Sequence, residues 1–126
     1  MKALRIPVFI LMLILSLSLL NSVSLSRRCG DWTTQLNTVD SAARALSWEQ
    51  ARDELDTVYD SWKQCQTWLH IVIDHKEIDA AEALLQRCRV LCQEEDSVEF
   101  RSTLADLCSQ LKLLDEMERV SIKNIL

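Results

Sequence analysis

The sequence predicts an all-α protein in which an N-terminal transmembrane helix is followed by an antiparallel, up-down-up-down four-helix bundle. The 126 residues include one glycine, Gly30, and one proline, Pro7, whereas sheet and loop-rich folds need both residue types at their turns. Apolar residues recur at alternating spacings of three and four along four successive segments, which is the pattern of helices that bury one face. A strongly apolar segment precedes these four stripes.

The apolar segment is the first element of the chain. It carries no charge from Ile6 to Leu25, and at about 1.5 Å per residue this length would cross a bilayer core of about 30 Å. We therefore predict that residues 1–26 form a membrane anchor, or an uncleaved signal, of a single-pass protein in the cell membrane.

A cleaved signal peptide is the alternative interpretation of this segment, because a small-x-small triplet ends at Ser24 and could be cut there.

The cations on either side of the segment predict its orientation in the membrane. Lys2, Arg5 and the α-amine precede the segment, and Arg27 and Arg28 follow it. This slight excess at the start favours a cytoplasmic N-terminus and an extracytoplasmic bundle.

The four stripes define the helices of the bundle, which we expect to occupy residues 27–126. A narrow apolar seam on each helix is what packing against neighbouring helices requires. The stripes comprise Cys29, Trp32, Leu36, Val39, Ala43 and Leu46; Trp48, Ala51, Leu55, Val58, Trp62, Cys65, Leu69 and Val72; Ile78, Ala81, Leu85, Cys88 and Cys92; and Phe100, Leu104, Leu107, Leu111 and Leu114.

Helix-capping patterns mark the three breaks between the stripes. Ser47, Asp74 and Asp96 are each followed three residues later by a glutamine or glutamate, as in a capping box. The connections are therefore short, and short connections make neighbouring helices antiparallel. The predicted helices are 27–46, 48–73, 75–94 and 97–118.

The chain ends on a short apolar tail that includes Val120, Ile122, Ile125 and Leu126. Free termini are usually polar, so we expect these residues to pack against the base of the first helix or to enter the membrane interface. The alternative is that the fourth helix continues through them.

Both histidines of the chain lie in the stretch 68–79, among several acidic residues, and could belong to a metal or acid–base site. His70 and His75 are five residues apart and would not share one face of a continuous helix. Neither belongs to a known metal-ligand motif. We interpret the stretch as the place where one helix ends and Asp74 caps the next.

The five cysteines offer a second candidate for chemistry. Most lie on the core seams, where cysteine acts as a small hydrophobic side chain. The alternative function is the binding of a soft metal, copper or zinc, by Cys65, Cys88, Cys92 and Cys108. Cys88 and Cys92, one turn apart, would form the nucleus of that site.

Charge and motifs exclude other classes of function. The net charge of −5 disfavours binding to nucleic acid. The sequence contains no nucleophile elbow, phosphate-binding loop or zinc-protease motif, so we predict no enzyme, no cofactor and no small-molecule substrate. The remaining expectation is a structural or interaction module with an unknown protein partner.

The chain resembles the family described as domain of unknown function 4363. The resemblance rests on the apolar N-terminal segment, the spaced tryptophans Trp32, Trp48 and Trp62, the stretch "IVIDHKEID" and the closing "VSIKNIL". It implies a small, membrane-anchored helical protein of bacterial origin and supplies no catalytic residue. The five cysteines are not part of the family's pattern.

Overall fold

The computed structural model describes residues 2–125, without the side chains at positions 2, 72, 121, 122 and 125. Within this range the chain forms four helices and no strand: α1 (Lys2–Arg44), α2 (Trp48–Val72), α3 (His75–Glu94) and α4 (Ser97–Ile125). Each helix packs against the next, and α4 returns to pack against α1. This arrangement is an antiparallel four-helix bundle, so the predicted fold class is confirmed.

Helix α1 is much longer than the first bundle helix that we predicted. The apolar segment and the predicted helix 27–46 form one helix of 43 residues without an interruption. Gly30 is the residue of α1 best suited to a break in the helix, yet the helix continues through it. No neighbouring side chain lies within 4 Å of the position that a Cβ would occupy at Gly30. The first bundle helix is therefore rigidly continuous with the segment that precedes it.

The two parts of α1 have opposite surroundings. Within the described residues, α1 alone is long and apolar enough to cross a bilayer, and none of its most apolar stretch is buried in the fold. Leu20 is 64% exposed, whereas Leu25 is completely buried. The helix thus passes from an exposed apolar surface into the bundle core within about one and a half turns.

The core is one continuous cluster that runs the length of the bundle and contains the predicted stripes except for Leu46, which is exposed, and Val72, whose side chain is not described. Two aromatic pairs lie within it. The ring centroids of Trp32 and Trp62 are 5.4 Å apart, and Trp48 meets Phe100 edge-on at 5.7 Å. Such pairs add about 0.5–1.5 kcal/mol to the stabilisation that burial alone provides.

The bundle has two ends, which differ in their turns. We call the end that includes residues 21–28, 65–79 and 115–119 the basal end, because α1 enters the bundle there. The opposite end, residues 40–53 and 92–101, is the distal end. The basal end contains the turn between α2 and α3, and the distal end contains the other two turns.

Both distal turns have the same backbone hydrogen bonds. At the end of α1, the N–H groups of Leu46 and Ser47 donate to the carbonyls of Ala43 and Ala42. Glu95 and the residue after it repeat this pattern at the end of α3. This Schellman motif needs a left-handed residue, a position that glycine usually occupies, yet here Leu46 and Glu95 have φ angles of 60° and 58°.

The caps agree only in part with the prediction. The carboxylates of Asp74 and Asp96 accept hydrogen bonds from the N–H groups of Lys76 and Glu99, both at 3.2 Å. The side chain of Ser47 makes no capping hydrogen bond.

The predicted reciprocal half of the capping boxes is wrong, because the glutamates bind elsewhere. The carboxylate of Glu77 accepts a hydrogen bond from Gln110, and that of Glu99 pairs with Arg87. Both glutamates therefore connect α3 and α4 instead of closing a cap.

Helix α4 continues to Ile125, beyond the predicted end at residue 118. Of the two interpretations of the apolar tail, the structure therefore has the continuing helix. Val120 is 56% exposed, so it does not extend the buried stripe. The side chains of Ile122 and Ile125, and the whole of Leu126, lie outside the described residues.

Candidate functional site

The two histidines meet at the basal turn. Helix α2 ends at Val72, and Ile73 adopts an extended conformation with φ −130° and ψ 155°. This break brings the Nδ1 atoms of His70 and His75 to 2.8 Å from each other, with ring centroids 4.7 Å apart. The prediction that the two rings would lie apart is wrong, because it assumed a continuous helix.

This pair can share one proton but is a poor metal site on its own. At 2.8 Å, one Nδ1 donates a hydrogen bond and the other accepts it. Within the described residues, no three His, Cys, Asp or Glu side chains converge as metal ligands. Asp74, which we expected to act as a helix cap, does so.

The four cysteines proposed as soft-metal ligands are divided between two parts of the bundle. Cys88 and Cys92 lie on α3, and Cys108 on α4 is close enough to affect the pKa of Cys88. Cys65, on α2, instead accepts a hydrogen bond of 2.8 Å from the guanidinium of Arg28.

Burial keeps most of the thiols protonated. It raises the pKa of Cys29 and of Cys88 to about 12, with smaller contributions from the charge of Asp115 and from neighbouring thiols respectively. Burial also raises the pKa values of Cys92 and Cys108. A protonated thiol is a weak nucleophile, so these cysteines are unreactive at neutral pH.

A network at the basal end ties α1 to α2. The indole N–H of Trp68 donates to the side-chain oxygen of Asn21 at 3.3 Å. Arg28 lies over the Trp68 ring, 5.8 Å from its centroid, while it donates to Cys65. Sequence reasoning missed these contacts, because they join residues that are 37 and 47 positions apart in the chain.

The distal end has an open, mainly acidic cavity of about 900 Å³ beside the turn between α1 and α2. Its lining includes the carboxylates of Glu49, Asp53 and Glu95 and one arginine, Arg52. Leu46 also lines the cavity and is 70% exposed.

A second exposed apolar residue lies at the same end. Val98, in the first turn of α4, is 79% exposed. Leu46 exposes an aliphatic side chain, held in a left-handed backbone conformation, beside the carboxylates of the cavity. This exposed apolar surface was not predicted, because Leu46 continues the first apolar stripe in the sequence.

Comparison with known proteins identifies the family but no activity. No curated protein and no solved structure matches the chain. One family model, "Domain of unknown function (DUF4363)", matches residues 19–125. The match covers the whole bundle and the end of the apolar segment, and it confirms the resemblance seen in the sequence. The chain therefore belongs to the DUF4363 family.

Proposed function

We propose that the protein is a single-pass, membrane-anchored module that acts by protein interaction and has no catalytic activity. The observation that carries this proposal is helix α1, whose exposed apolar half continues without a break into the buried core of the bundle. An anchor built in this way holds the bundle in a fixed position at the bilayer surface. The distal end is then the part of the bundle that is furthest from the membrane.

The exposure of the apolar half of α1 favours a membrane span over a helix from a soluble core. A core helix would bury its apolar side chains within the fold, and this stretch buries none. Phe9 and Met12, for example, are 71% and 61% exposed. Leaving such surface in water costs about 25 cal/mol per Å², whereas lipid solvates it.

The contacts of α1 also favour retention of the segment over cleavage. A cut after Ser24 would remove Asn21 and with it the hydrogen bond to Trp68. It would also leave Leu25, which is completely buried, as a charged chain terminus. Both changes would disturb the basal end of the folded bundle.

The distal end is the surface that we assign to the partner. It combines the exposed side chains of Leu46 and Val98 with the acidic cavity. The complementary partner is a protein surface with an apolar centre and a basic rim.

Fractionation tests the anchor. The full chain should remain with membranes through an alkaline carbonate wash and should be released by detergent. A chain that lacks residues 2–20 should be soluble and should keep its helical circular dichroism spectrum. Recovery of the protein in the soluble fraction, with the mass expected after loss of the first 24 residues, would show a cleaved signal instead.

Site-specific crosslinking tests the interaction surface. A photo-reactive amino acid at position 46 or 98 should give a discrete adduct in native membranes. The control position is Leu113, which is 40% exposed on α4 and lies about 22 Å along the helix axis from Val98. Equal adducts at position 113 would show that the distal end is not the contact surface.

Metal analysis separates this proposal from the soft-metal alternative. Protein purified under reducing conditions should contain no stoichiometric copper or zinc. If the protein contains bound metal, and the metal is lost in Cys88→Ala and Cys92→Ala, the metal-binding function is correct and the proposed interaction module is wrong.

A further inference from the structure

An open cavity of about 440 Å³ lies at the basal end, between α1 and α4. Its lining consists of Ser22, Val23, Ser26, Arg27 and Arg119. Two guanidinium groups and two hydroxyl groups therefore face one space, at the place where α1 leaves its exposed apolar half.

The height of this cavity along α1 corresponds to the lipid headgroups. If the anchor of the proposed function ends near Leu20, then Ser22 to Arg27 lie about 3–10 Å further along the helix axis. The headgroup layer on each side of the hydrocarbon core is about 5–8 Å thick. Trp68, at the same level through its bond to Asn21, is of the residue type that favours this interface.

The two arginines retain donors for a ligand. Arg119 donates to the Ser26 hydroxyl at 2.8 Å and pairs with Asp115 at 3.3 Å, yet its side chain is 63% exposed. A guanidinium carries five N–H donors, so these two contacts leave several free. Among the side chains that the structure describes, Arg27 has no ion-pair partner.

We propose that this cavity binds the phosphate of an anionic phospholipid headgroup through Arg27, Arg119 and the hydroxyls of Ser22 and Ser26. The inference rests on the proposed membrane anchor and adds a ligand class to it. Arginine forks match the geometry of phosphate oxygens, and hydroxyl groups donate to the oxygens that remain. The two arginines that line the cavity face one carboxylate partner, Asp115, so the cavity keeps a positive character.

The bound headgroup would fix the rotation of α1 about its own axis. One side of the helix, which bears Ser22 and Ser26 one turn apart, would face the lipid phosphate together with α4. The hydroxyl of Ser26 already orders the Arg119 side chain, and this reduces the entropy lost when a phosphate binds.

Native mass spectrometry of the full chain tests this site. The protein is released from nanodiscs that contain phosphatidylcholine and a minority of phosphatidylglycerol, and the lipids that remain bound are counted. Wild-type protein should retain phosphatidylglycerol in preference to phosphatidylcholine. Arg27→Gln and Arg119→Gln should each reduce this preference by about fivefold, which corresponds to one cation near an anionic surface, and the double variant should abolish it.

The chain offers a closely matched control in Arg44. Like Arg119, Arg44 is 63% exposed and pairs with an aspartate four residues before it, Asp40, but it lies at the distal end. Arg44→Gln should retain wild-type lipid preference. Equal losses in Arg44→Gln and Arg119→Gln, or no preference in the wild type, would overturn the site.

Two further arms distinguish the source of the phosphate and the cause of a failure. Added inorganic phosphate should not displace the bound phosphatidylglycerol. If it does so, the site takes phosphate from solution and the lipid assignment is wrong. A protein that incorporates into nanodiscs but shows no lipid preference refutes this inference alone, whereas a protein that does not incorporate into nanodiscs refutes the membrane anchor as well.

Discussion

The two ends of the bundle solve the same problem, the reversal of chain direction, in different ways. At the distal end, both turns force a non-glycine residue, Leu46 or Glu95, into the left-handed region. At the basal end, the chain turns through Ile73 in an ordinary extended conformation, and Ile73 is only 9% exposed.

This difference supports the proposal that a partner binds at the distal end. A left-handed non-glycine residue costs about 1–2 kcal/mol, and the distal end accepts this cost twice. Leu46 gains almost nothing from burial in return, because it is 70% exposed. Backbone strain without an internal benefit is typical of a surface that serves another molecule. The basal end instead has polar contacts with α1, such as the bond between Trp68 and Asn21.

The largest expected effect comes from the aromatic pairs, one towards each end. Trp32→Ala and Phe100→Ala should each lower the free energy of unfolding by about 3–5 kcal/mol, because each residue is at most 2% exposed. Denaturant unfolding of the full chain in detergent, followed by circular dichroism, measures this loss. Because the core is continuous, each variant should unfold in one transition; separate transitions would show that the two ends fold independently.

Alkaline pH should also destabilise the bundle through its buried thiols. The pKa of Cys88 is about 12 in the folded chain and about 9.0 without burial, so the unfolded chain loses this proton first. Stability is therefore complete below about pH 9 and falls as the pH rises towards 12, by about 4 kcal/mol per thiol at most.

The variants Cys88→Ala and Cys29→Ala locate this effect along the bundle. Cys29 is near the basal end, and burial gives it the same pKa of about 12. Each variant should flatten the decline in unfolding free energy between pH 9 and 12. Unchanged slopes in both would show that other groups cause the alkaline loss.

The N-terminal caps of α3 and α4 allow the stability of the basal and distal ends to be compared. Asp74→Ala, at the basal end, and Asp96→Ala, at the distal end, should each cost about 1 kcal/mol, because each carboxylate accepts an N–H of the first turn. Ser47→Ala is the matched control, since its hydroxyl makes no capping bond, and it should cost clearly less. Equal losses in all three would contradict the assigned cap geometry.

Glycine at the two left-handed positions should stabilise the bundle, in contrast to the substitutions above. Leu46→Gly and Glu95→Gly should raise the free energy of unfolding by about 0.5–1 kcal/mol, because glycine adopts the left-handed conformation without strain. If Leu46 contacts the partner, Leu46→Gly should nevertheless weaken partner crosslinking from position 98. A loss of stability in both variants would show that these turns are not strained.

The smallest effect is expected at the histidine pair. His70→Ala and His75→Ala should each change the free energy of unfolding by less than about 0.5 kcal/mol, because their mutual bond is exposed to solvent. Loss of function in either variant with an intact fold would give the basal turn a role beyond connecting α2 and α3.

The helical bundle was predictable from the sequence because its information is local and periodic. Spacings of three and four place Leu36 or Leu85 in the core whatever the neighbouring helix is. Asp74 and Asp96 could likewise be identified as caps, since a cap depends on a few adjacent residues.

What the sequence did not reveal depends on contacts between distant segments. The pairing of Gln110 with Glu77, 33 residues away, diverted that glutamate from its expected capping role. The cavity between Ser26 and Arg119 joins residues 93 positions apart. The predicted start of a helix at residue 27 is wrong for another reason. Arg27 and Arg28 indicate where the chain leaves the apolar segment, but charged residues do not end a helix.

Because α1 is unbroken, a tilt of its apolar half would move the whole bundle with it. From Asn21 to Arg44 the helix rises about 35 Å, so the partner surface would stand at a fixed height above the bilayer. Transmembrane helices tilt by about 20° on average, and such a tilt would carry the distal end about 12 Å sideways, because no hinge absorbs it. A change in bilayer thickness that altered this tilt would thereby change which partners the distal end can reach.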